Sequence, residues 1–143
     1  MRHPISPKTH GAIDYTTSAA VAMAPKALNL PKRAAAACYG LAAGYTALSA
    51  LTKYPYGAKK VVPFKGHGAA EVMIGAALPF MPRMLGLDKK KRFEKECDRD
   101  AKRNAQYLFA GLAAMTGVVA LLTDWNSPRA RGQIGGTMAH ADS

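Results

Sequence analysis

The chain has 143 residues, with 20 Lys and Arg against 9 Asp and Glu, a formal net charge of +11 and 49% hydrophobic residues. That length holds one compact helical body and no separate catalytic module, and its two cysteines, Cys38 in an uncharged stretch and Cys97 in a charged one, argue against a disulfide scaffold or a thiolate zinc site. The basic balance suits anionic lipid head groups or an acidic partner; nucleic acid is not expected, because no finger, winged-helix or RNA-binding signature occurs and the aromatic residues accompany the apolar runs.

In chain order, residues 1–9 read as an irregular tail without the apolar region of a cleaved signal, and Thr9 is a candidate N-cap for a helix beginning at His10. That helix is predicted to reach Leu30 with a break or kink at Pro25, followed by a turn at Pro31 and Lys32 and a second helix over residues 33–53. Residues 55–65, with Pro55, Gly57 and Pro63, read as a loop, and a third helix is predicted over 66–85 with Pro79 and Pro82 near its end. Between Leu87 and Ala110 there is neither Gly nor Pro, so the charged stretch 88–103 is predicted to run without interruption into a fourth helix. Phe93, Cys97, Ala101 and Leu108 fall near one face of it, which suits either an amphipathic surface helix or a solvated extension. Residues 126–143, basic and rich in Gly and small polar side chains, read as a disordered tail.

The chain states nearly the same pattern twice. His10-Gly11-Ala12-Ile13-Asp14 returns as His67-Gly68-Ala69-Ala70-Glu71, and Pro25-Lys26 with Leu28-Asn29-Leu30 returns as Pro82-Arg83 with Leu85-Gly86-Leu87. Gly40-Leu41-Ala42-Ala43, ending in Leu51-Thr52-Lys53-Tyr54, is matched 71 residues on by Gly111-Leu112-Ala113-Ala114, ending in Leu122-Thr123-Asp124-Trp125. Agreement in order, spacing and residue character predicts a duplicated two-helix unit, residues 10–54 and 66–125. Residues 34–52 and 104–123 carry no charge over 19 and 20 positions, about the length that crosses a bilayer core, although their Ala and Gly content makes each crossing marginal by hydropathy. The expectation is an all-α fold, a four-helix transmembrane bundle from two tandem helical-hairpin repeats, multi-pass in a bacterial inner membrane. The Lys and Arg distribution leaves its orientation undecided.

In each repeat the His and the acid stand at i and i+4, one turn apart on one helix face. Two repeats running the same way would bring His10, Asp14, His67 and Glu71 to one level, where two imidazoles and two carboxylates can bind a divalent metal or relay protons. The plainer alternative is structural: acids in the early turns of helices 1 and 3 are favoured by the positive helix ends, and the neighbouring His satisfies them. Gly40-xxx-Gly44 is a GxxxG motif, and with Gly111 and Gly117 it predicts close packing between helices 2 and 4, within one chain or across a homodimer. No nucleophile with a base and no phosphate loop is present; Ser18 and Ser49 lack a His arrangement.

Leu51-Thr52-Lys53-Tyr54, Gly57, Pro63, His67, Glu71, Gly75, Leu78, Pro82 and Leu85-Gly86-Leu87 together resemble the small bacterial membrane proteins with SPW repeats. The resemblance covers roughly residues 9–125 and implies four transmembrane helices from two hairpins, each opening on a His with an acid four positions later. The Ser-Pro-Trp triplet of that family stands here as Ala24-Pro25-Lys26 and Met81-Pro82-Arg83, a cation replacing the interfacial Trp. The family implies no established activity and no cofactor. The functional expectation is therefore a non-enzymatic structural or interaction component whose partners are the lipid bilayer, anionic lipids and a further membrane protein or second copy. The alternatives are a metal, proton or redox-linked transport protein using the paired His and carboxylates, and a soluble Ala-rich four-helix bundle.

Overall fold

A computed structural model describes residues 4–89 and 95–126, and among these every regular element is helical. α1 spans Pro7–Ala27, α2 Lys32–Leu51, α3 Phe64–Ala77, and after a 3-10 turn at Leu78–Phe80 the one-turn α4 covers Met81–Met84; α5 is the 27-residue helix Glu96–Leu122. The predicted tail over residues 126–143 lies outside the described residues except for Asn126, as does Phe93 of the predicted amphipathic face. The predicted uninterrupted helix over 88–103 holds only from Glu96 onward, where the charged residues continue into the apolar run; Asp88 and Lys89 are not helical, and Lys95 is extended backbone at the N-cap.

The first helix starts three residues before the predicted His10. Ser6, not Thr9, is the N-cap: its hydroxyl accepts from the Thr9 amide at 3.2 Å, and Pro7 supplies a preset φ where no amide is needed. α1 stops short of Leu30 because Asn29 turns left-handed, at φ 49, and the Leu30 amide closes back on the Pro25 carbonyl at 3.0 Å. Gly86, at φ 68, ends α4 in the same manner, with the Leu87 amide on the Pro82 carbonyl at 2.8 Å. Each proline therefore sits where its carbonyl closes the helix end.

α1 packs along α2, and α3 along α5, so the chain forms two hairpins. The inward stripe of α1 reads His10, Asp14, Ser18, Val21 and Ala24, polar at one end and apolar at the other. At the apolar end Val21, Ala34, Cys38, Ala42, Leu78, Leu87, Ala105 and Phe109 form one cluster. Near the starts of α1 and α3 and the ends of α2 and α5 the interior is instead His, Asp, Glu, Ser and Thr. The hairpins are also stitched by backbone: the Ile5 amide donates to the Leu122 carbonyl at 3.1 Å and the Asp124 amide to the Ile5 carbonyl at 2.9 Å. Matching bonds join the Val62 amide to the Leu51 carbonyl at 2.8 Å and the Lys53 amide to the Val62 carbonyl at 2.8 Å.

The helix-packing expectation for Gly40, Gly44, Gly111 and Gly117 is not met within the chain. All four are exposed, and a Cβ added at any of them meets nothing within 4 Å. The glycines that do allow a close approach are Gly11 and Gly68, which admit aromatic rings against the helix backbone: an added Cβ would lie 1.8 Å from the Tyr54 ring and 2.6 Å from the Trp125 ring. A GxxxG spacing marks a small face; it does not say which neighbour that face meets.

Candidate functional site

His10 and Asp14 on α1 and His67 and Glu71 on α3 converge on one point, with ligand-type atoms all within 4.8 Å of one another and all four side chains buried. His10 Nε2 lies 3.4 Å from Asp14 Oδ1 and 3.1 Å from Glu71 Oε2; His67 Nε2 lies 3.3 Å from Asp14 Oδ2 and 3.7 Å from Glu71 Oε1. Each carboxylate thus turns one oxygen to each imidazole. The four residues singled out by spacing are brought together by the fold.

The other ring nitrogen of each imidazole is fixed from the opposite hairpin. His10 Nδ1 is 2.9 Å from Thr123 Oγ1 at the end of α5, and His67 Nδ1 is 2.9 Å from Thr52 Oγ1 at the end of α2. Each threonine hydroxyl donates its single proton to a carbonyl one turn back, Val119 for Thr123 and Leu48 for Thr52, both at 2.6 Å. With that proton committed, the threonine oxygen accepts, so each imidazole carries a proton on Nδ1 and donates it. Both Nε2 atoms are then directed at the carboxylates. Among the described residues neither makes a hydrogen bond of acceptable geometry, and Glu71 Oε2 is likewise unsatisfied.

The two acids differ in support. Asp14 Oδ2 accepts from the Tyr54 hydroxyl at 3.3 Å and the Ser49 hydroxyl at 3.4 Å, whereas Glu71 has no hydroxyl donor among the described hydrogen bonds. Burial, reinforced by the nearby Asp14 charge, pushes the Tyr54 phenol above its ordinary range, which keeps it a donor. Tyr54, Phe64 and Trp125 roof the tetrad: His10 meets Phe64 and Trp125 edge-on at centroid distances of 5.3 and 5.1 Å, and Tyr54 stands 6.0 Å from His67. Trp125 is itself held by its indole N–H, which donates to the Ala120 carbonyl at 2.8 Å. On the inner side a cavity of about 30 Å³ borders Asp14 and Glu71; its wall is mainly apolar, with Leu41, Leu78, Leu112 and Met115 beside Ser18, Tyr45 and Thr116. The hydroxyls of Ser18 and Tyr45 are buried with no hydrogen-bond partner among the described residues.

Thr52, Thr123, Tyr54 and Trp125 were visible in the sequence only as repeated text, Leu-Thr-x-aromatic, and Ser49 as a serine without a His. Their roles depend on helix ends meeting helix starts far away in the chain. No protein-family model, curated protein or solved structure matches this chain. The chemistry of the site rests on its own geometry.

Proposed function

We propose that this is a small multi-span integral membrane protein, a non-enzymatic component built from a duplicated hairpin, whose working site is the tetrad His10, Asp14, His67 and Glu71 acting by binding. The observation that carries the reading is a belt free of outward charge. Residues 9–25, 34–52, 66–82 and 104–123 contain two Asp, Glu, Lys or Arg residues in all, Asp14 and Glu71, and both point inward. The outer surface of the same belt presents Met23, Val72, Met73, Val118 and Leu121; Met73 is 74% exposed and Leu121 78%, against 0% for His10 and His67. Water drives the reverse distribution, with apolar side chains inside and ionisable ones outside. Hydrocarbon favours this one, provided that the buried ionisable groups meet each other.

The dimensions agree. α2 and α5 are each long and apolar enough to cross a membrane, and at 1.5 Å per residue a 20-residue helix covers about 30 Å, the thickness of a hydrocarbon core. The matched bonds at Ile5 and Val62, the matched helix ends at Asn29 and Gly86, and the matched Thr–His pairs support descent of the two hairpins from one unit. The resemblance to SPW-repeat proteins points the same way. Lys8, Lys26, Lys32, Lys65 and Arg83 stand at the ends of the belt, suited to anionic head groups.

A second reading, proton or redox-linked transport, is favoured by the small cavity bordering Asp14 and Glu71, whose mainly apolar wall also carries Ser18, Tyr45 and Thr116. Fractionation of expressing cells without detergent tests the main proposal. The chain is expected in the membrane pellet, resistant to alkaline carbonate; recovery as a monodisperse species in plain buffer overturns it.

A further inference from the structure

We propose that His10, Asp14, His67 and Glu71 bind one divalent first-row transition-metal ion, of the Zn²⁺ class, through two imidazole nitrogens and two carboxylate oxygens. The inference deepens the reading of the tetrad as a binding site, and it holds whether lipid or water surrounds the bundle.

The first support is direction. Because Thr123 and Thr52 take the Nδ1 protons of His10 and His67, each Nε2 is left facing carboxylate oxygens, and the centre calls for positive charge there, a second imidazole proton or a cation. Four acceptors facing one another in a buried space repel unless something positive lies between them. The unsatisfied state of His10 Nε2, His67 Nε2 and Glu71 Oε2, three atoms aimed at one centre, is the geometric sign of this. Imidazole held by an oxygen acceptor on its far nitrogen is the arrangement that orients a metal-ligating histidine and raises its basicity.

The second support is size. Ligands about 2.0–2.1 Å from a tetrahedral ion stand ~3.3 Å apart; one ligand atom from each of the four residues lies within 4.8 Å of the other three, and each imidazole nitrogen has a carboxylate oxygen of either acid within 3.1–3.7 Å, a different oxygen for each imidazole. The third is charge. Two neutral imidazoles, two carboxylates and one divalent cation sum to zero, so the filled site has no net charge to desolvate. The donor set, nitrogen and oxygen without sulfur, suits Zn²⁺, Fe²⁺, Co²⁺ or Mn²⁺ and argues against Cu⁺. Cys38 lies in the apolar cluster and Cys97 is exposed, so neither belongs to the set. The aromatic roof of Tyr54, Phe64 and Trp125 keeps bulk water from the ligands at the bundle end.

The test uses the full chain purified in mild detergent without a polyhistidine tag. It is expected to take up one equivalent of Co²⁺ with the visible absorption of a tetrahedral centre, displaced by one equivalent of Zn²⁺. The His10→Ala/His67→Ala variant is expected to lose that uptake. The Thr52→Val/Thr123→Val variant, which keeps all four ligands, is expected to bind about 10- to 100-fold more weakly. Absence of stoichiometric uptake by the folded wild type, or equal uptake by the double-His variant, overturns the assignment. Should the His variant not fold, X-ray absorption on the wild-type Zn²⁺ complex reads the shell directly: nitrogen and oxygen with imidazole scattering supports the site, and sulfur scattering overturns it. A chain that sediments with membranes yet takes up no metal sinks this inference alone.

Discussion

Thr123 holds His10 across the interface of the two hairpins: its Oγ1 accepts from His10 Nδ1 at 2.9 Å while its own proton goes to the Val119 carbonyl at 2.6 Å. Thr52 stands to His67 as Thr123 does to His10. Replacing either threonine by Val removes the acceptor and leaves a buried imidazole N–H unpaired. The expected cost is about 1–3 kcal/mol per site, read as a lowered thermal midpoint in detergent, with Thr→Ser recovering most of it.

Gly11 and Gly68 are the close approaches between helix backbone and aromatic roof. Gly11→Ala forces Cβ into the Tyr54 ring and Gly68→Ala into Trp125, with contacts of 1.8 and 2.6 Å to be relieved. Overpacking of this kind costs about 1–3 kcal/mol, and Gly11→Ala is expected to be the worse of the two. Gly40→Ala and Gly111→Ala, which meet open space, are expected to be neutral or stabilising by up to ~1 kcal/mol. Denaturation of the four variants side by side decides the order; equal loss in all four would contradict the geometry.

Gly86 and Asn29 occupy left-handed backbone at matching helix ends, φ 68 and 49. Gly86→Ala is expected to destabilise by about 1 kcal/mol and Asn29→Gly to be neutral or slightly stabilising. Chemical denaturation of both variants checks the signs, which are opposite for the same structural position.

The cysteines report burial separately. Cys38 is fully buried in the apolar cluster and Cys97 is exposed near the start of α5. A membrane-impermeant maleimide is expected to modify Cys97 in detergent-purified protein and to spare Cys38 until the bundle is unfolded, as read by mass spectrometry. Rapid modification of both would show that the apolar end of the bundle is open.

Much of this arrangement was written in the sequence because its signals are local or repeated. His10 and Asp14, like His67 and Glu71, share a helix face by spacing alone, and the recurrence of the pair predicted that the two sets would stand at one level. Helix boundaries were less legible: Thr9 and Ser6 are both good caps by type, and Pro7 decides between them only once the start is known. The outward turn of Gly40 and Gly44 was not legible, since an Ala- and Gly-rich helix has small side chains on every side and no contrast to mark the buried one. Nor were the acceptors of the imidazoles, because Thr123 and His10 are joined across 113 positions of chain by nothing but the fold.

The crossed pairing of threonine and histidine also sets an order of events during synthesis. When α3 first docks, Thr52 has already left the ribosome and is ready for His67. His10, made before either, waits for Thr123, which emerges only after the whole of α5. The older imidazole of the tetrad is therefore the last to gain its acceptor, and a polypeptide halted before the end of α5 carries a half-finished centre.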